Sequence, residues 1–211
     1  MASNPLAGIV MATLLEAEPL LQIFDLQQVE ERPFPLYIGG DVVLVISGIG
    51  KANAAMATVY CAQKYSPIWL CNIGAAGATD SACPLGSIYH IGRVIEFDRP
   101  YLRLDAPRIH APHVLQGFPM ATVATQDKPV IDAGERQKVS LQAELVDMEA
   151  AAVVQACRKF EVRCVIFKFV SDTPDHPGSD DIAENIEQYR ATFCRFFSSS
   201  VMPVLRAASE A

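Results

Sequence analysis

Carboxylates recur in this chain directly behind apolar runs, where their types suit acid–base chemistry or the binding of polar ligand groups. Glu16 follows the first run, and Asp172 ends the stretch "FKFVSD". Asp147 and Glu149 stand at the head of "VDMEAAAVVQAC", a segment otherwise made almost wholly of small apolar residues. Carboxyl groups in a partly desolvated pocket can donate protons, accept protons or accept hydrogen bonds. Whether these four act together depends on the elements that carry them.

Short apolar runs alternate with helical patterns along the chain. Continuous β-branched and aromatic runs are typical of strands that are covered on both faces. These runs lie at residues 7–13, 41–47, 68–74 and 163–171. Apolar residues at helical intervals predict helices between and after them. These helices lie at residues 51–65, 148–160 and through 182–205. The order predicts an α/β fold with helices on the faces of a central sheet.

The middle of the chain is less regular. Residues 86–98, "GSIYHIGRVIEFD", predict a long strand, and residues 99–119 predict a proline-rich loop and edge region. No internal repeat, low-complexity tract or linker marks a boundary. The sequence therefore predicts a single domain over residues 1–211.

Ligands of open α/β sheets bind at the carboxyl ends of the strands, so the polar residues behind each run are the candidates. Four such groups are present. They are Glu16 in "ATLLEAE", residues 47–55 in "SGIGKANAA", residues 72–80 in "NIGAAGATD" and residues 170–175 in "VSDTPD".

Each group also has a purely structural interpretation. Glu16 and Glu18 would favour the start of a helix by opposing its dipole. "SGIGK" and "GAAG" would be glycine-rich turns that lead out of strands, and neither matches a Walker loop or a G-x-G-x-x-G fingerprint. Ser171 and Asp172 suit a turn or a helix cap, and Asp147 suits an N-cap.

Composition excludes several classes of partner. The 211 residues carry a formal net charge of −7, and no cluster of lysines and arginines offers a surface for nucleic acid or an anionic membrane. The longest uncharged stretch, residues 65–79, is interrupted by proline and glycine, which argues against a membrane span. No basic residue precedes Arg32, so no secretory signal is expected. Six scattered cysteines without a C-x-x-C pair predict buried, reduced thiols and a cytoplasmic protein.

The combination of motifs is more specific than its parts. "ATLLEAE", "SGIGKANAA", "NIGAAG", "VDMEAAAV" and "FKFVSD" occur together and in this order. The chain thereby resembles the purine nucleoside phosphorylase/nucleosidase superfamily, and it is most similar to the 5'-methylthioadenosine/S-adenosylhomocysteine nucleosidases. The similarity covers residues 7 to about 92 and about 136 to 206. It implies a three-layer α/β/α domain with a central mixed, partly barrel-like sheet.

The resemblance implies cleavage of the N-glycosidic bond of a purine nucleoside. Asp172 matches the general acid that protonates N7 of the leaving base, a role that requires a raised pKa. Glu16 matches the base that orients or activates water, with Glu18 as the alternative because the alignment can shift here. Glu149 matches the residue that accepts hydrogen bonds from the ribose 2'- and 3'-hydroxyls.

Further substrate contacts are implied at matching positions. Met148 would pack its thioether against the sugar, and Ser171, Ala75 and Gly77 would lie against the substrate. Val130 falls near the purine-binding segment, and Lys168 takes the place of an arginine near the catalytic glutamate and water. Asp147 matches a family acidic position, with a capping role equally open.

Water is the favoured acceptor. Phosphorylases of the superfamily place arginines around the phosphate, whereas "TLLEAE" and "SGIGKANAA" contain no arginine. Lys51 or Lys168 could still provide point charges for phosphate.

The chain also departs from the family pattern. Ala75 stands where the bacterial enzymes usually carry a serine near the nucleophile. Pro129 and Val130 stand where an aromatic residue would stack on the purine, so base recognition would depend on backbone groups. The shortened middle, residues 93–135, would alter the part of the pocket that closes over the 5' substituent.

Several functions therefore remain open. The first is hydrolysis of methylthioadenosine or adenosylhomocysteine. Alternatives are hydrolysis of futalosine or another purine nucleoside, phosphorolysis, and non-catalytic nucleoside binding. The complete set of Glu16, Glu149 and Asp172 argues against binding alone. No metal or organic cofactor is implied, because the four histidines lack ligand spacing. The resemblance implies a homodimer.

Overall fold

The continuous apolar runs of the sequence form central strands of a mixed β-sheet. The computed structural model describes residues 4–100, 108–176 and 178–210. Its strands are β1 Ala7–Met11, β2 Gln27–Glu30, β3 Leu36–Gly39, β4 Val42–Ile46, β5 Trp69–Ala78, β6 Ile88–Glu96, β7 Ile109–His110, β8 Met120–Thr125, β9 Leu145–Asp147 and β10 Arg163–Asp172. Its helices are α1 Leu14–Ile23, α2 Lys51–Tyr65, α3 Ala133–Ser140, α4 Ala150–Lys159, α5 Ser179–Phe196 and α6 Met202–Glu210, with a π-helical segment Phe197–Val201 between the last two.

Part of the sheet closes on itself. The strand order is β10-β6-β8-β9-β5-β1-β4-β3-β2, and β10 pairs in addition with β5. The first five strands of this order therefore form a ring, and the other four extend it as an open sheet. Strands β1, β4, β5 and β10 run parallel to their neighbours in the centre. The predicted mixed, partly barrel-like sheet is confirmed.

Helices cover both faces of the sheet. Helices α2 and α4 contact each other on one face, and α1 and α5 contact each other on the other. Side chains of β4 alternate between two cores: Val43 and Val45 face the first pair of helices, and Val42 and Leu44 face the second. A strand buried on both faces loses the polar alternation of a surface strand. The predicted three-layer arrangement is confirmed.

The parallel pairing brings the carboxyl-terminal ends of three strands to one edge of the sheet. Strand β1 pairs with β5, and β5 pairs with β10. In the second pair Ala76 lies opposite Val170, and Gly77 lies opposite Asp172. Residues that follow β1 therefore meet the ends of β5 and β10, which is the condition for a shared site.

Some predicted bounds were wrong. Strand β5 continues through "GAAG" to Ala78 because its pairing with β10 continues to Gly77, so this segment is not the predicted turn. Ser171 and Asp172 likewise end β10 instead of capping a helix. Helix α2 has the predicted bounds, whereas α4 begins at Ala150, two residues later than predicted. Residues 101–107 of the predicted loop lie outside the described residues.

The cysteines agree with the sequence-based expectation. All six are buried and none forms a disulfide. Among the described residues, no helix is both long and apolar enough to cross a membrane.

Candidate active site

Glu16 is fixed by hydrogen bonds to both of its carboxylate oxygens. The backbone N and the Oγ1 of Thr13 donate to Oε2 at 3.1 and 2.7 Å, and Glu16 N donates back to Thr13 Oγ1 at 3.3 Å. This capping box begins α1. Ala75 N donates to Oε1 at 2.8 Å, so the same carboxylate also contacts β5. The helix-start interpretation is therefore correct, but it describes only part of what this side chain does.

Two glycines of β5 permit this close approach of carboxylates to the strand. A Cβ on Gly74 would lie 2.7 Å from Glu16 Oε1, and one on Gly77 would lie 2.5 Å from Asp172 Oδ2. No side chain could occupy either position without displacing a carboxylate. The glycines of "NIGAAG" thus make room for acidic side chains.

Glu18 points away from this region. Its side chain is 58% exposed and pairs with Arg190 Nη1 at 2.7 Å. Glu16, in contrast, is 5% exposed and reaches the strand ends. The two candidates that the sequence left open therefore occupy different surroundings, and only Glu16 lies beside the other carboxylates.

Glu149 lies at the N-cap of α4 and contacts the loop before α2. Gly50 N donates to its Oε1 at 2.9 Å. Burial raises the pKa of Glu149 to about 7; the positive charge of Lys168 opposes this rise and the negative charge of Asp147 adds to it. This carboxyl therefore changes its charge near neutral pH.

Asp147 and Lys168 form a buried ion pair beneath Glu149. Lys168 Nζ lies 2.9 Å from Asp147 Oδ2, and the two side chains are 2% and 1% exposed. Thr125 Oγ1 donates to Asp147 Oδ1 at 2.6 Å, and Ala150 N donates to Oδ2 at 2.9 Å. Asp147 thus accepts a hydrogen bond from the first residue of α4, but the N-cap position that the sequence suggested for it belongs to Glu149. Burial would lower the pKa of Lys168, but the charges of Asp147 and Glu149 outweigh this effect and raise it.

Asp172 is held at the end of β10 by two side chains. Ser171 Oγ donates to Oδ1 at 2.9 Å, and Arg136 Nη2 donates to Oδ2 at 2.7 Å. Arg136 comes from α3 and is 2% exposed. The sequence indicated neither this arginine nor its contact with the predicted acid.

One pocket at the strand ends collects almost all of the predicted residues. Its wall contains Glu16, Ala75, Gly77, Val130, Met148, Glu149, Ser171 and Asp172. Lys168 is not part of this wall and lies behind Asp147. The pocket also contains residues that were not predicted, including Thr13, Lys128, Ile182 and Ile186. Four carboxylates, those of Glu16, Asp147, Glu149 and Asp172, therefore surround a partly apolar cavity.

The family of the chain follows from its match to a family model. The model, described as "Phosphorylase superfamily", matches residues 7–121 and 120–201. The chain belongs to the phosphorylase superfamily. The predicted resemblance is confirmed, and the match includes the region around residue 100 where the sequence motifs were weak.

Curated relatives within the superfamily share a quarter to a third of their residues with the chain. A 5'-methylthioadenosine/S-adenosylhomocysteine nucleosidase of Bacillus velezensis is 32% identical over 177 residues, which are 72% of this chain and 77% of the relative. The protein of the same name from Staphylococcus epidermidis is 28% identical over 187 residues, 75% of this chain and 81% of the relative.

Solved structures share the fold. A 5'-methylthioadenosine/S-adenosylhomocysteine nucleosidase of Helicobacter pylori superposes with a TM-score of 0.84 at 17% identity, covering 95% of this chain and 99% of that one. Futalosine hydrolase of the same organism gives a TM-score of 0.83 at 17% identity, with coverage of 92% and 96%. The superfamily fold therefore includes both of the hydrolase types that the sequence suggested.

Two site residues that the sequence reasoning missed differ in how well they could have been found. Thr13 and Glu16 form the T-x-x-E pattern of a capping box, which is visible in the sequence. Arg136 lies in the polar segment "AGERQKVS", which is typical of an exposed helix. Nothing in that pattern indicates burial. Within the described ranges, no group of three or more His, Cys, Asp or Glu side chains is arranged to hold a metal ion.

The buried Glu149 carboxyl is expected to make folding stability depend on pH. Below pH 4.5 it is protonated in both the folded and unfolded states, and above about pH 7 it is ionised in both. Between these values only the folded state keeps the proton, so the cost of burying the charge develops as pH rises. The pKa rise from 4.5 to about 7 corresponds to about 3 kcal/mol.

Glu149→Gln removes this charge while keeping an oxygen for Gly50 N. We therefore expect the free energy of unfolding of the variant, measured in urea, to rise relative to that of the wild type by about 3 kcal/mol between pH 4.5 and pH 8. A difference in unfolding free energy that stays the same at the two pH values would contradict the assignment.

Proposed function

We propose that this chain hydrolyses the N-glycosidic bond of a 5'-modified purine nucleoside, such as 5'-methylthioadenosine or S-adenosylhomocysteine. The observation that carries the proposal is the meeting of Glu16, Glu149 and Asp172 around one pocket. Water adds to C1' of the ribose as the bond from C1' to N9 breaks, and the bonding electrons leave with the purine. The curated relatives named as nucleosidases support the substrate class.

Two carboxylates would carry the proton transfers. Asp172 donates a proton to N7, so the base leaves as a neutral molecule. Glu16 accepts a proton from the attacking water. Its carboxylate is already oriented by Thr13 and Ala75, and this fixed orientation limits the reorganisation needed at the moment of reaction.

The sugar and the base would contact the remaining predicted residues. Glu149 accepts hydrogen bonds from the 2'- and 3'-hydroxyls, and Met148 packs against the ribose beside it. Val130 and Ser171 flank the purine near Asp172, and the small residues Ala75 and Gly77 leave space for the ring. Lys168 acts from behind the wall by compensating the charges of Asp147 and Glu149.

The distribution of cations supports water as the acceptor. Among the pocket residues that the structure describes, Lys128 is the single cation. Lys51 is paired with Asp98 at 2.6 Å and with Glu96 at 3.4 Å, and Lys168 is paired with Asp147. Neither of these lysines is therefore left to bind phosphate, which in proteins is usually held by several unpaired donors.

Apolar side chains near the pocket support a 5'-thioether and a second copy of the chain. Ile49, Ile182 and Ile186 line the cavity and suit an alkylthio group. Ile49 is 54% exposed, and Met56 on α2 is 55% exposed. A homodimer would cover this surface beside the pocket. The buried free thiols are consistent with a cytoplasmic protein.

A second candidate substrate is futalosine. Lys128 in the pocket wall pairs with Glu135 at 2.7 Å, but its side chain is 64% exposed, so an acidic 5' substituent would compete with Glu135 for it. Chromatographic detection of free base distinguishes the candidates when the protein is incubated with methylthioadenosine, adenosylhomocysteine, adenosine, inosine and futalosine. We expect the thio-nucleosides to be cleaved fastest. Base release from futalosine alone would establish the second candidate, and no release from any of the five would contradict a nucleosidase.

A further inference from the structure

Arg136 is an arginine buried beside the proposed acid, Asp172. Its side chain is 2% exposed, and Asp172 is the carboxylate that pairs with it, at 2.7 Å. A cation in such surroundings is costly unless it is paired and hydrogen-bonded. The burial of this arginine on a largely polar helix therefore indicates a specific role beside Asp172.

The guanidinium joins three separate segments. Nη2 donates to Asp172 Oδ2 and to the carbonyl oxygen of Val130, each at 2.7 Å, and Nη1 donates to the carbonyl oxygen of Ala78. These acceptors belong to the end of β10, the segment before α3 and the end of β5. A planar fork of donors can hold three acceptors in fixed directions, which a lysine ammonium on a flexible stem does less well.

Two of these acceptors belong to residues of the pocket wall. Asp172 and Val130 both line the cavity, on the side where the proposed function places the purine. Ser171 Oγ holds the other oxygen of Asp172 at 2.9 Å, and Gly77 closes the remaining side so tightly that an added Cβ would lie 2.5 Å from Oδ2. Asp172 is thus restrained from three directions.

We propose that Arg136 is a positioning residue for the purine: it fixes the Asp172 carboxylate relative to the Val130 backbone, so that both groups meet the base in one geometry. This inference rests on the proposed function. Arg136 does not touch the substrate and acts through its two neighbours. Its loss should therefore affect contacts with the base, while leaving the contact between Glu149 and the ribose in place.

The test compares binding of adenine and 7-deazaadenine, which differ in the N7 atom that Asp172 would contact. Calorimetry on the wild type should show that adenine, bound with a proton on N7 so that N7–H donates to the Asp172 carboxylate, binds about 10-fold or more tightly, as expected for a hydrogen bond to a charged group. In Arg136→Lys the charge stays but the fork is lost, so the discrimination should fall below about 3-fold. The kcat/KM for a cleaved nucleoside should fall about 10²-fold in the same variant.

The control is Lys138→Met, which removes an exposed cation from the same helix and should leave the discrimination unchanged. If Arg136→Lys fails to fold, Arg136→Gln removes both the fork and the buried charge while its amide NH2 still donates, and the discrimination should fall in the same way. Full discrimination by a folded variant, with or without reduced stability, would show that Arg136 only supports the fold.

The proposed function and the role of Arg136 fail in distinguishable ways. A wild type that binds adenine over 7-deazaadenine but cleaves no nucleoside contradicts the reaction, while the comparison with Arg136→Lys still decides the role of the arginine. A wild type that does not discriminate between the two bases overturns the role of Arg136 directly, whatever its activity.

Discussion

Asp172→Asn is expected to reduce base release by about 10³-fold, the loss typical when a general acid is removed. The amide keeps the shape of the side chain and an oxygen that can accept from Arg136, but it cannot deliver the proton to N7. The purine would then have to leave with its negative charge uncompensated. The measurement is the rate of adenine formation under saturating methylthioadenosine.

Stability must be followed alongside this rate. The substitution leaves the buried Arg136 without its counter-charge, which can cost about 3 kcal/mol of folding free energy. Most domains have more stability than this, so the variant should remain folded. Asp175→Asn, at an exposed position three residues later, is the matched control and should retain wild-type activity. Turnover of Asp172→Asn within a few-fold of the control would remove Asp172 from the role of acid.

Glu16→Gln is expected to lower kcat by at least about 10²-fold, because an amide cannot accept a proton from water. The substitution also disturbs the site, since the amide nitrogen would face either Ala75 N–H or the Thr13 donors. Part of the capping box is then lost, which costs about 1 kcal/mol of folding free energy. The KM should change much less than kcat if Glu16 acts on water and not on the nucleoside.

Glu18→Gln is the matched control for this experiment. Glu18 is two residues away on the same helix and carries the same chemical group, but it is exposed and paired with Arg190. Its substitution should leave kcat unchanged. A large loss in Glu18→Gln with near-normal turnover in Glu16→Gln would exchange the two assignments.

The central elements could be predicted because their signals are local. Helix α2 was predicted with the bounds it has, since "KANAAMATVYCAQKY" carries helical spacing between glycine and proline boundaries. Strands β1, β4 and β10 are continuous apolar runs, and such runs are typical of strands that are buried on both faces. The parallel pairing of β1, β5 and β10 places Glu16 and Asp172 at a single edge, whereas Asp147 and Glu149 reach it through β9, which pairs antiparallel with β5.

Other elements escaped prediction because tertiary contacts define them. Strand β2, "QQVE", is mostly exposed and polar, and it exists through its pairing with β3. The end of β5 reads as a glycine-rich turn, yet pairing with β10 keeps it extended. Its glycines are explained by Glu16 and Asp172, which approach from elements that are distant in sequence.

The site, like the fold, could be predicted only in part. The strand-end rule and the family motifs identified the carboxylates that line the pocket, and their catalytic roles remain predictions. Register arguments could not separate Glu16 from Glu18, because the difference lies in which side chain reaches Ala75 N. Arg136 was missed because its partner Asp172 lies 36 residues further along the chain. A buried ion pair of this kind leaves no periodic pattern in either segment.

The most direct test of the whole account is to identify the sugar product formed from methylthioadenosine in the presence of excess phosphate. Mass spectrometry of the reaction should show adenine and free methylthioribose in equal amounts, at a rate that phosphate does not change. Formation of methylthioribose 1-phosphate, or a need for phosphate before adenine appears, would contradict hydrolysis and would require a phosphate site that the paired lysines do not provide.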